Sequence, residues 1–368
     1  MSFKVEQSRL KDAINKVVSV VDKRNTRPIL AYVLFEAEGD ELSISATDLE
    51  VSAKVVLKTK VENKVRFCVN AKNLSDILKE LPDAEIELSK NNNQLALDCK
   101  SVHFNLLIYE DGEFPHLNFR SEAERFTIPS ATITDIIAKT SHAISQDETR
   151  IHLNGIFLQE IEGQLRAVAI DGHRLALLNT GVEIPSNELL TNGIIIPKKG
   201  IQELKKLADS YSDGLISISV DETYLYANLE NYHLSIRLIT RDYPKYQTVI
   251  PSKSNVTVNF DRNALLNSVR RVKIMSNEKN NGIKVFLDDN KMTFTANNPT
   301  YGEAKEVLEC EYQEDTFEIG FNARFLIDVL QIFPEGEVNL EITNELSPVI
   351  FKSPSFPNFL SIVMPLKI

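Results

Sequence analysis

The most reactive spacing in this chain is Asp171-Gly172-His173-Arg174, where a carboxylate and an imidazole stand two positions apart. Such a pair could do acid–base work or supply two ligands to a metal. A metal centre needs three or four ligands. The other histidines (His103, His116, His142, His152, His233) are scattered, and the cysteines (Cys68, Cys99, Cys310) form no Cys-x-x-Cys pair. The cysteines read as reduced structural residues of a cytosolic protein. No Gly-x-Ser-x-Gly elbow, phosphate loop or dinucleotide fingerprint occurs. Asp-Gly is itself a turn signal, so the tetrapeptide reads first as a tight connection. We expect no catalytic residue, no metal and no cofactor.

The elements that hold this turn repeat. An apolar strand end, a polar turn and a short amphipathic helix run from 3 to 14, and return at 126–137 and 258–269. A second copy sits midway, at 69–78, 196–204 and 321–330, with Val69-Asn70-Ala71 matching Phe321-Asn322-Ala323. Repetition of this kind describes an architecture. It gives three similar domains, each of two half-repeats, with boundaries in the polar stretches 120–125 and 250–256: domains 1–122, 123–252 and 253–368. Helical spacing is expected over 8–21 (Leu10, Ala13, Ile14, Val17, Val21), 72–81, 130–145 (Ile133, Ile136, Ile137, Ile144), 198–209, 262–273 and 324–331. Between them apolar residues alternate with period two, as in half-buried antiparallel strands. The fold class is α+β, short helices on antiparallel sheets.

With 368 residues, 43% apolar and 25% charged, the chain suits a soluble protein of two or three domains. It has no apolar run long enough for a membrane span, and Met1-Ser2-Phe3-Lys4-Val5-Glu6 lacks the pattern of a signal peptide. A net charge of −11 argues against nucleic acid only until it is divided. The six helices hold 15 basic and 7 acidic side chains, a net of +8, so −19 lies elsewhere. Basic helices lining a ring would suit a phosphate backbone, with an acidic exterior that resists non-specific binding. Helices packed about 8–10 Å apart need twelve to leave a hole near 25 Å, and hence two chains.

Three stretches resemble the bacterial DNA polymerase III beta subunit family, the sliding clamps. They are 169–176 around Asp171-Gly172-His173-Arg174-Leu175, 242–251 with Tyr243, Pro244, Tyr246 and Val249, and Val363-Met364-Pro365-Leu366-Lys367-Ile368. Arg27-Pro28-Ile29-Leu30, Thr47-Asp48-Leu49-Glu50, Leu153-Asn154-Gly155, Ile274-Met275-Ser276 and Ala296-Asn297-Asn298-Pro299 support the match in family order over the whole chain. The resemblance implies a head-to-tail homodimeric ring that encircles double-stranded DNA without sequence preference. It would slide, tether the replicative polymerase and be opened by a clamp-loader ATPase, with no active site of its own. A bacterial cytoplasmic location, at the nucleoid, follows. Repair and translesion polymerases, mismatch-repair proteins and ligase would share one peptide pocket between the second and third domains.

By the resemblance, that pocket is lined by Leu153, Ile170, Gly172, His173, Arg174, Leu175, Pro244, Val249, Leu346, Pro348, Ile362, Met364, Pro365 and Leu366, with His173 and Arg174 as polar anchors at its rim. Ile170 stands where Thr is frequent, and Thr248 where Arg is frequent, which alters the rim. DNA contacts fall to Arg24, Lys72, Arg150, His152, Lys198, Lys199 and Arg324; Lys72, Lys199 and Arg324 share one half-repeat position at a helix start. Phe104 and Leu106, with Ile274 and Met275, form the apolar part of the dimer seam. Two alternatives remain open: a hydrolase or transferase centred on Asp171 and His173, and a peptide-binding scaffold with no DNA role.

Overall fold

The computed structural model describes residues 2–21, 27–61 and 64–367. One series of elements occurs six times: a strand, a helix, then three strands. The helices are Gln7–Val18, Ala71–Glu80, Ser130–Thr140, Lys198–Ser210, Arg262–Lys273 and Ala323–Leu330. Several start for a local reason. The side chains of Asn70, Asp261 and Asn322 accept the backbone N–H of Asn73, Ala264 and Arg324, satisfying donors that a helix start leaves open.

Two helices end earlier than their apolar spacing predicts. The first stops at Val18, so Val20 rather than Val21 is buried. The third stops at Thr140, where the Thr140 and Ser141 hydroxyls donate back to the Ile136 and Ile137 carbonyls. That local bonding competes with the helical ladder, and a 3-10 turn, Ser141–Ala143, follows. A short helix, Glu188–Asn192, was not expected from the spacing; Asn187 caps it and Gly193 ends it.

Each leading strand leaves its own half and pairs with the other. Ser2–Glu6 pairs with Glu85–Asn91, and Val65–Asn70 with Tyr32–Glu38. Phe126–Pro129 pairs with Leu215–Val220, and Ile194–Pro197 neighbours Gly155–Ile161. Val256–Asp261 pairs with Glu337–Ile342, and Phe317–Asn322 with Gly282–Asp288. A half-repeat therefore completes its sheet only with its neighbour.

The chain forms two compact units, Met1–Thr134 with Ile196–Leu238, and Asp135–Ile195 with Ile239–Ile368. The first carries a 12-stranded sheet in which Val51–Lys58 pairs antiparallel with Tyr232–Arg237. The second carries a four-stranded sheet and an eight-stranded one in which Arg174–Glu183 pairs antiparallel with Phe359–Val363. Sheets thus run across both polar stretches expected to separate domains.

Candidate peptide groove

Asp171 is spent on its own turn. Its Oδ1 accepts the backbone N–H of His173 (2.8 Å) and Arg174 (2.9 Å), and its Oδ2 accepts Arg174 Nε (3.0 Å). The same turn recurs where no histidine follows. Asp48 Oδ1 accepts Glu50 N and Val51 N, and Asp221 Oδ1 accepts Thr223 N and Tyr224 N. The carboxylate therefore holds backbone rather than an imidazole, as a catalytic Asp–His pair would require. Among the described residues no three His, Cys, Asp or Glu side chains gather to hold a metal. Gly172 has φ +91°, and a Cβ there would lie 2.7 Å from Arg150 Nη1. A side chain at this position would meet both a strained backbone and the guanidinium.

The turn closes a row of apolar residues running across four strands. Ile170 faces Leu175, Leu175 faces Ile362, and Ile362 faces Ile350. Two residues along, and so on the same face, Phe157, Val168, Leu177 and Leu360 form a second row. Leu153, delivered by the 3-10 turn Ile151–Leu153, joins this cluster. The segment 239–250 lies over it. Tyr243 stacks on Phe157 with centroids 4.4 Å apart, and Tyr246 is buried with its hydroxyl donating to Gln159 Oε1 (3.0 Å). Burial, the main cause, pushes the Tyr243 hydroxyl far above its ordinary pKa, so it stays neutral. Val249 and Met364, each 37% exposed, stand open to solvent.

The structure gathers Leu153, Ile170, Leu175 and Ile362 into one apolar cluster, with the Asp171–Arg174 turn beside it. The carboxyl-terminal segment is tied to the turn: Met364 N donates to His173 O (2.8 Å), and Leu366 N to Gly320 O (2.8 Å). His173 is exposed and its ring lies 6.0 Å from that of Phe325.

Arg174 corrects the rim expectation. Its side chain is only 11% exposed, its Nε and Nη1 bond Asp171 and Asp328 (2.6 Å), and its guanidinium lies 4.4 Å over the Phe325 ring. It pins the turn to helix Ala323–Leu330 instead of offering an anchor. Leu346 lies apart from the cluster. It is 72% exposed and lines a separate depression with Asn255, Tyr312 and Phe317. Pro348 is half-buried, and Pro244 is exposed.

Phe157, Tyr243, Tyr246, Phe325 and Asp328 were absent from the sequence-derived pocket. The motif 242–251 held a signal for the two tyrosines, but nothing in the sequence ties Phe325 or Asp328 to Arg174. His142 lies in the same neighbourhood, with both ring nitrogens buried and unbonded. Burial, aided by the Arg174 charge, pushes its pKa down to about 4.

The nucleic-acid candidates divide. Arg24 lies outside the described residues. Lys72 and Arg324 are exposed at the second position of their helices. Lys199 holds the same position, yet its ammonium is committed to the nearly buried Asp48 carboxylate and to Val20 O (3.2 Å). Lys198 is exposed beside it. Arg150 pairs with Asp147 (2.9 Å) and lies against Gly172, so this candidate and half-buried His152 share a turn with the groove residue Leu153.

Six repeats of strand, helix and sheet, with an apolar cluster beside the Asp171 turn, define an α+β repeat protein. Family models of the DNA polymerase III beta subunit match its N-terminal domain at residues 1–118, central domain at 127–245 and C-terminal domain at 247–367. The beta sliding clamp of Pseudomonas aeruginosa is 32% identical over 371 residues, covering 100% of both chains. The crystal structure of the DNA polymerase III subunit beta from Pseudomonas aeruginosa superposes with a TM-score of 0.95 at 31% identity, covering 100% of each chain. The same coverage and identity, with a TM-score of 0.93, hold for the Pseudomonas aeruginosa sliding clamp bound to griselimycin. This chain belongs to the DNA polymerase III beta subunit family.

Proposed function

We propose that this chain works as a sliding clamp: it encircles duplex DNA, slides, and tethers the replicative polymerase to make synthesis processive, without catalysis of its own. The ring would be a head-to-tail homodimer built from the three domains 1–122, 123–252 and 253–368. The observation that carries this reading is a pair of unfinished strands.

Last strands of half-repeats pair in sequence along the chain. Val51–Lys58 joins Tyr232–Arg237, and Arg174–Glu183 joins Phe359–Val363. The next pair in that series is Gly302–Glu309 with Val102–Tyr109 of a second copy. Gly302–Glu309 is an edge strand, and Val102–Tyr109 is bonded to Val65–Asn70 only at Tyr109 and Ile108. Unlike the alternating buried strands elsewhere, Gly302–Glu309 has no buried residue and Val102–Tyr109 only Ile108. Large apolar side chains stand exposed beside both: Leu107 and Tyr109 on one, Ile274, Tyr301 and Val307 on the other. Open edges of this kind invite pairing.

The hairpins set the register. Ala46–Ala53, Ala169–Ala176 and Ala296–Ala304 are equivalent pairs, so Gly302 corresponds to Val51 and Arg174. Val51 faces Ile236 and Arg174 faces Val363; the same register in a dimer would bring Leu106 opposite Gly302 and Phe104 opposite Ala304 of the second copy. Ile274 and Met275 would flank that seam. The apolar rows with Val249 and Met364 would receive short segments of polymerase, clamp loader and other replication or repair proteins, an adaptable surface for several partners. Exposed Lys72, Lys198 and Arg324, with Arg150 and His152, would supply weak phosphate contacts that permit sliding. A cytoplasmic location accords with this role.

The decisive test is topological. Loaded by its clamp loader onto nicked circular DNA, the chain should stay on the circle and leave once the DNA is linearised. Retention on linear DNA with unblocked ends would overturn the ring, as would a sedimentation equilibrium showing monomer alone at micromolar concentration.

A further inference from the structure

Two equivalent edge strands are finished differently. Ser2–Glu6 ends the 12-stranded sheet and Val256–Asp261 ends the eight-stranded one. By the repeat, Phe3 corresponds to Val258 and Lys4 to Asn259, and Gln7 N bonds Ala84 O as Arg262 N bonds Gly336 O. In the first unit the chain after Val51–Lys58 closes its own edge: Val61 bridges Phe3, and Thr59 Oγ1 donates to Lys4 O. The chain after Gly302–Glu309 starts in the same way. Cys310 N donates to Asn290 O (3.0 Å) as Thr59 N donates to Asp40 O (3.0 Å). Among the described residues it makes no bridge to Val256–Asp261.

Two depressions lie along that edge. One, of about 690 Å³, is bordered by Asn255, Val256, Tyr312, Phe317 and Leu346. The other, of about 650 Å³, is bordered by Asn259, Asn290, Lys291 and Cys310. An edge strand turns alternate N–H and C=O groups outward. Arg262 N bonds the neighbouring strand's end, so by alternation Val258 and Phe260 bond inward while Thr257 and Asn259 point away. The rim is acidic. Exposed Glu314, Asp315 and Glu345 border the first depression, and exposed Glu309, Glu311 and Glu337 the second, with Lys291 the one base among them.

We propose that the Val256–Asp261 edge takes an extended basic segment of a partner protein as an added strand. Its backbone would bond Thr257 and Asn259, completing the edge that Thr59 and Val61 complete in the first unit. Its lysine or arginine side chains would meet the carboxylates of the rim. An apolar side chain would enter beside Val256, Phe317 and Leu346, the last 72% exposed. An acidic segment or a nucleic acid would be repelled by the same rim. None of these residues belongs to the apolar cluster beside the Asp171 turn.

The probe is a labelled eight-residue peptide alternating lysine and valine, read by anisotropy against the full chain. It should bind about tenfold more tightly than a glutamate–valine peptide or a version interrupted by proline, and weaken as salt rises. Asn259→Pro removes one outward N–H and leaves the bonds to Glu337–Ile342 intact, so affinity should fall about tenfold, whereas Asn259→Ala should keep it. Should the proline variant not fold, the surface pair Glu311→Lys with Glu314→Lys decides, with the same fall expected. Met364→Ala should leave the probe's affinity unchanged; a fall there would place the peptide in the groove and overturn the edge site. Equal binding to the unaltered chain and the Asn259→Pro and lysine variants would mean attraction to net charge alone and overturn it too. So would no binding, or equal binding of the lysine, glutamate and proline peptides.

Discussion

One ladder of four strands is built twice in this chain, once in each unit, and the two copies carry opposite chemistry. After the Asp171 turn the row reads Ile170, Leu175, Ile362, Ile350. After the equivalent Asp48 turn it reads Thr47, Ser52, Ser235, Tyr226, and the next row reads Ser45, Lys54, His233, Asn228. Backbone geometry is the same down to a strand-end bond, Met364 N to His173 O in one and Arg237 N to Glu50 O in the other, both 2.8 Å. The hydroxyl row closes on itself: Thr47 Oγ1 donates to Val51 O and accepts Leu49 N and Ser52 Oγ. It has little to gain from a partner. The aliphatic row has no bonds to satisfy and is itself 1–9% exposed beneath the segment 239–250, so the apolar surface left for a partner lies at Val249 and Met364, at about 25 cal/mol for each Å² covered. A repeated fold thus supplies two equivalent places, and side chains make one a hydrogen-bonded polar ladder and the other an apolar cluster.

The largest effect should come from the ion pairs beneath the turns. Arg174→Ala strands Asp171 and Asp328, and should cost about 3–5 kcal/mol in denaturant unfolding. Lys199→Ala strands only Asp48 and removes a more exposed cation, so its loss should be smaller. Equal losses would mean the two turns are supported alike. Acid comes next. His142 has a folded pKa pushed down to about 4, so the unfolded chain binds its proton first. Stability from this residue is present above its ordinary pKa of about 6.5 and falls as pH drops toward 4, by up to about 3 kcal/mol. His142→Gln should flatten that part of the stability–pH curve. In the first unit burial, Lys54 and Arg120 push His233 in the same direction, so His233→Gln should act in the same sense.

The smallest effect on stability should be the most telling for binding. Met364→Ala changes a partly exposed side chain and should alter stability by no more than about 0.5 kcal/mol. Peptide affinity should nevertheless fall several-fold. Arg237→Ala, at the matching place in the first unit, should change neither. A peptide affinity that follows Arg237 and ignores Met364 would reverse the assignment of the two ladders.

Much of this could be read from the residues in order. Period and repeat located the six long helices and the alternating strands, because each residue's face follows from its position along an element. The lack of a phosphate loop, a dinucleotide fingerprint and a Gly-x-Ser-x-Gly elbow argued against an enzyme, yet a hydrolase or transferase at Asp171 and His173 stayed open on the sequence. Neighbours in space were the part that could not be read. Arg174 is bonded to Asp328, 154 residues away, and Lys199 to Asp48, 151 residues away. Both looked like exposed cations because sequence spacing says which face an element buries, not what comes to meet it. Tyr243 and Tyr246 became groove residues only when the segment carrying them folded back over the sheet.

The chain's sequence alone determined that one unit would recur six times, where its helices would begin, and which turn would bend at Asp171-Gly172. Tertiary structure decided which segment covers the apolar one of two equivalent ladders, which cations are consumed within the fold, and which two strands end without a full partner. The reason is that hydrogen-bond periodicity is local, whereas cross-strand packing joins residues more than a hundred positions apart.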